Sequence, residues 1–120
     1  MKDEEVISRV KEAIEQIDNA DVYFALKKMR IRGISEQTVK TVKIFLALRQ
    51  MGVSVVSSHL FSIFYDASHN AAIAILHRLG DKKVLTFVRE NAKGPLRYVL
   101  GTEFLQYYEH PDQKVNIDGQ

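Results

Sequence analysis

The chain is expected to fold as a mainly helical α+β protein with one small β-hairpin. Three observations carry that expectation. Apolar residues recur at helical spacing in several separate segments. Two short runs, "VLTFVR" and "LRYVL", alternate in strand fashion on either side of the turn-forming "ENAKGP". Serine and glycine stand at the segment ends, where caps and stops belong.

The elements follow in order. Val6, Val10, Ile14 and Ile17 make one stripe, so residues 3–17 read as an amphipathic helix whose acidic first turn suits the helix dipole. After "DNAD", a run over about 22–30 aligns Val22, Leu26 and Met29, with Gly33 as its stop. Ser35 in "SEQT" is an N-cap for a helix reaching Met51. That helix turns Val39, Val42, Phe45, Leu46 and Leu48 inward and Lys40, Lys43 and Gln50 outward, and Gly52 ends it. In "SVVSSHLFSIF", Ser54, Ser57 or Ser58 caps a short helix bearing Leu60, Phe61 and Phe64. Ser68 caps the next helix, with Ala72, Leu76 and Leu79 on its core face and His69, Asn70, Ile73 and His77 opposite. A two-stranded hairpin with a basic tip comes next, and "TEFLQYYEH" reads as a short terminal helix. The organisation expected is an N-terminal helical arm over 1–33, a domain over 34–110 and a flexible tail over 111–120.

With 120 residues there is length for one core-forming domain plus an arm. Absence of cysteine removes disulfides, thiolate metal sites and cysteine nucleophiles together. The opening segment is acidic, unlike a secretory signal, and no run approaches the ~18 apolar residues of a membrane span. A cytoplasmic, nucleoid-associated protein is expected. Net charge is only +2, but it is unevenly distributed. Residues 1–21 sum to −4, residues 27–50 to +6 and residues 82–97 to +4, an asymmetry frequent in nucleic-acid binders and seen in other proteins too.

Catalytic and metal chemistry find little support. His59, His69 and His77 lack the i, i+4 spacing of a helical zinc site. Ser57, Ser58 and His59 are chain neighbours rather than a positioned triad, and the Gly-x-Ser-x-Gly elbow is missing. Gly33, Gly52, Gly80 and Gly94 are isolated, so no phosphate-cradling loop forms. The expectation is no enzyme, no metal and no cofactor.

Three helices followed by a hairpin, the third helix joined to it by a tight basic turn, is the order of a winged helix-turn-helix. Residues 36–104 resemble the winged-helix domains of small prokaryotic transcriptional regulators, including the MarR-like group and archaeal relatives. "SHNAAIAILHRLGDKKVL" resembles their recognition helix running into the first wing strand, and "PLRYVLGTEF" resembles the returning strand and final helix. Many members have glycine just before the first wing strand; here Lys83 holds that position and Gly80 comes earlier.

The resemblance implies double-stranded DNA as partner. On the recognition helix, Ser68, His69, Asn70, Ile73 and His77 would face DNA. Asn70 suits an adenine edge, the histidines can donate to base or phosphate, and Ile73 can touch a thymine methyl. On the wing and turn, Lys82, Lys83, Arg89, Lys93 and Arg97 would neutralise phosphates. The alternative for the same residues is a polar surface helix and a solvated basic turn, with Ile73 in a partner's pocket. Lys27, Lys28, Arg30 and Arg32 either extend the phosphate contact or face solvent. A homodimer is expected, paired through Val6, Val10, Ile14, Ile17, Phe104, Leu105 and Tyr108, or else the first helices fold back on their own domain. The functional expectation is sequence-specific transcriptional regulation. The runner-up is a winged-helix protein-interaction module in a replication, transcription or chromosome-segregation complex. No small-molecule effector can be read from the sequence.

Overall fold

Asp3–Gln16 form helix α1, and the chain turns at Ile17 into α2, Asn19–Lys28, where Asp18 is the N-cap and accepts from Ala20 N–H at 2.9 Å. This computed structural model describes residues 3–88 and 96–111. Helix α2 starts earlier than the apolar stripe suggests, because the polar "DN" supplies the cap one turn ahead of Val22. Its stop is also earlier. Met29 is the C-cap, Arg30 takes a left-handed φ of 65°, and Gly33 lies out in the following loop.

Ser35 caps α3, Glu36–Gln50, its Oγ accepting from Thr38 N–H at 3.2 Å. All five residues expected to face inward from α3 are buried. A two-residue strand β1, Val56–Ser57, follows and leads directly into α4, Ser58–Tyr65, capped by Ser57. Helix α5, His69–Asp81, is capped by Ser68, with Ala72, Leu76 and Leu79 buried. Strands β2, Leu85–Phe87, and β3, Arg97–Leu100, and helix α6, Thr102–Glu109, complete the described chain. The fold is mainly helical with a small three-stranded antiparallel sheet.

Strand β1 corrects the expected two-stranded hairpin. The sheet order is β1-β3-β2, with Val56 opposite Tyr98, and Leu85 and Phe87 opposite Leu100 and Tyr98. Two residues are too few to show alternation, so this strand is set by its pairing with β3 and by Ser58 N–H donating to Leu96 O at 2.9 Å.

One buried cluster runs from Val10, Ile17, Val22 and Leu26 through Phe45, Phe61 and Leu76 to Tyr98 and Phe104. Helix α1 packs on α3, and α2 packs on α6. Residues 3–33 therefore share a core with the described residues of 34–110. Of the residues expected to pair two copies, Val10, Ile17 and Phe104 are buried inside their own chain, with Val10 only 1% exposed, and so offer no surface to a partner. Ile14, Leu105 and Tyr108 are half-buried and packed against that core, leaving Val6 exposed. An apolar stripe satisfied within the chain looks the same in sequence as one that seeks a second copy.

Candidate nucleic-acid interface

Helix α5 packs on α4 through its Ala72, Ile75, Leu76 and Leu79 side, and that choice decides what it shows outward. Asn70, Ala71, Ala74, His77, Arg78 and Asp81 are exposed on the opposite side. Ile73 is half-buried at the edge.

His69 occupies a different environment from the other expected contact residues. It is half-buried, its Nε2 lies 3.1 Å from Ser58 Oγ, and its ring stacks on His59 of α4. Ser68 is exposed, with Oγ accepting the Ala71 N–H as a cap. Asn70, in the first turn, is exposed.

Toward its C-terminal end, α5 faces the sheet. His77, Gly80 and Asp81 together with Lys83, Leu85, Thr86, Phe87 and Tyr98 line an open groove of about 510 Å³. Tyr98 is the link across it. Its ring is 1% exposed, its hydroxyl oxygen is 3.0 Å from His77 Nδ1, and the two rings meet edge-on at 85°. Burial raises the Tyr98 phenol above its usual pKa of 10.0, and the Asp81 carboxylate adds to the effect. Lys82 is the C-cap of α5 and is exposed, as is Lys83. Lys83 takes a left-handed φ of 67°, the backbone conformation for which glycine would be the usual residue. Arg97 on β3 is half-buried. Arg89 and Lys93 lie outside the described residues.

Three groups in this surface were missed by the sequence reading. Arg78 is exposed on α5 and donates to Gln37 Oε1 of α3; Asp81 lies one turn beyond His77; and Tyr98 supports His77 from the sheet. Counting forward from Asn70 in steps of four and three reaches 74, 77, 78 and 81, a signal that would have found the first two.

Comparison with known proteins adds no relative. No protein-family model, curated protein or solved structure matches the chain. The arrangement itself offers a polar helix face, hydrogen-bonding side chains held from behind, and flanking lysines. Among the described residues no three His, Cys, Asp or Glu side chains gather to hold a metal ion. Also among them, no helix is long and apolar enough to cross a membrane.

Proposed function

We propose that the chain binds double-stranded DNA sequence-specifically as a winged helix-turn-helix, with α3, α4 and α5 as the helical unit, α5 in the major groove and the β2–β3 hairpin as the wing. The observation that carries this reading is the sheet order β1-β3-β2 combined with α5 packed on α4 and its Asn70 to Asp81 side left exposed. Asn70 reads a base edge, while Lys82, Lys83 and Arg97, with Arg89 and Lys93, take phosphates. The protein acts in the cytoplasm on nucleoid DNA as a transcriptional regulator, occupying sites near promoters without a cofactor or catalysis. Two copies on an inverted repeat, with half-sites ~34 Å apart, would double the sequence read. Pairing through Val10, Ile17 and Phe104 is not part of this proposal.

Selection of binding sites from a random duplex pool tests it. A recovered consensus should lose ~1–3 kcal/mol of binding on Asn70→Ala, with little change on random DNA. Equal loss on every sequence would remove α5 from base reading.

A second reading, the protein-interaction module, draws on two exposed apolar side chains, Ile63 on α4 at 52% and Phe87 on β2 at 39%, and on the Asp81 carboxylate beside the groove. Recovery of no duplex at all from the pool favours it.

A further inference from the structure

We propose that Tyr98 is a positioning residue for His77: its hydroxyl donates to Nδ1, the ring proton therefore sits on Nε2, and the outer edge of α5 presents one fixed N–H donor to an acceptor on DNA. The proposal deepens the DNA reading above and rests on it for its consequence, while its geometry stands within the free protein.

The argument begins with the oxygen-to-nitrogen distance of 3.0 Å between a phenol that is 1% exposed and a histidine on the exposed face of α5. A neutral imidazole carries its proton on one nitrogen and accepts on the other, and a partner on one side decides which. The surroundings favour the phenol as donor. Burial, and after it Asp81 one turn on in α5, oppose loss of the phenolic proton, so the hydroxyl keeps a proton to donate. The remaining groove residues are Lys83 in the turn after α5, Leu85, Thr86 and Phe87 of β2, and Gly80 of α5. Among the described residues the hydroxyl meets His77 Nδ1 at 3.0 Å, and a phenol that accepted there instead would leave its own buried proton without that acceptor. The backbone that carries the phenol is held on both sides, since Tyr98 pairs with Val56 and with Phe87 in the sheet, and its ring meets the imidazole edge-on at 85°. The hydroxyl therefore couples the wing to the recognition helix through one side chain.

Nitrogen-15 spectra of the imidazoles in the full-length protein, read beside duplex affinity, provide the test. The wild type should show His77 as a single Nε2–H tautomer, and Tyr98→Phe should show a mixture. Duplex affinity should fall about two- to tenfold in Tyr98→Phe and in His77→Ala, the value of one neutral hydrogen bond. His77→Gln, whose amide nitrogen stands near the position of Nε2, should keep most of it. A wild-type ring protonated on Nδ1, or a Tyr98→Phe protein with the ring populations and affinity of the wild type, would overturn the proposal. A correct tautomer in a wild-type protein that binds no duplex would overturn the donor role and, separately, the DNA reading.

Discussion

His69 lies flat on His59, ring centroids 4.2 Å apart and planes within 4° of parallel, with its Nε2 3.1 Å from Ser58 Oγ. The first turn of α5 is thereby tied to the first turn of α4. His69→Ala should cost about 1–2 kcal/mol, from one hydrogen bond and one ring contact, and lower the thermal midpoint. His69→Phe keeps a ring to stack and should recover part of that loss. Melting curves of the two variants decide it; an unchanged midpoint for His69→Ala would mean that the tie carries no stability.

Gly101 is held against the turn after α5. Its N–H donates to Val84 O at 2.8 Å, and a Cβ placed there would stand 2.4 Å from Lys83 O. The obstacle is backbone, which cannot swing aside as a flexible side chain can. Gly101→Ala should destabilise by about 1–3 kcal/mol, the usual cost of overpacking, and should move the start of α6. Chemical denaturation measures the loss.

Lys83 separates stability from binding. Its φ of 67° is unfavourable for a residue with a Cβ, so Lys83→Gly should stabilise by up to about 1 kcal/mol. The same substitution removes an exposed cation from the turn before β2 and, under the DNA proposal, should weaken duplex binding on every sequence alike. A variant that gains stability and loses affinity meets both expectations; unchanged affinity would take Lys83 out of the phosphate contact.

Much of this architecture was legible because it is local. Ser35, Ser57 and Ser68 each cap the helix expected after them, and the buried stripe Ala72, Leu76, Leu79 was read from spacing alone. What escaped is non-local. Strand β1 exists through pairing with Tyr98 and Arg97, some forty residues away in sequence. The Tyr98 hydroxyl contact to His77 and the Arg78 bond to Gln37 also join distant segments, so neither leaves a periodic trace. His69 was expected on the outer face with Asn70, yet it turns toward Ser58, because it stands three residues before Ala72 and seven before Leu76, near the side of α5 that packs on α4. The destination of the α1 stripe was undecidable from sequence, since burial against α3 and burial against a second copy demand the same residues.

Alkaline pH should expose the two perturbed phenols. Tyr98 is raised by burial and then by Asp81, and Tyr108 by burial and then by Asp21 and Asp18. A raised folded pKa means the folded state holds its proton more firmly than the unfolded chain. The stabilisation is fully present below the ordinary value of 10.0 and is lost as pH rises through the higher folded values. Urea denaturation across that range should show stability falling, with a shallower fall in Tyr98→Phe. An identical fall in that variant would assign the loss to other groups.

The salt dependence of duplex binding tests the central claim most directly. If α5 and the wing grip DNA, several phosphates are neutralised together and their counterions released, so log affinity should fall linearly with log salt. At about 0.9 per phosphate, the slope for a dimer should have a magnitude of about 4 or more, and Lys83→Gly should make it shallower. A protein that shifts no duplex at ~50 mM salt, or whose binding is indifferent to salt, would contradict the DNA-binding account.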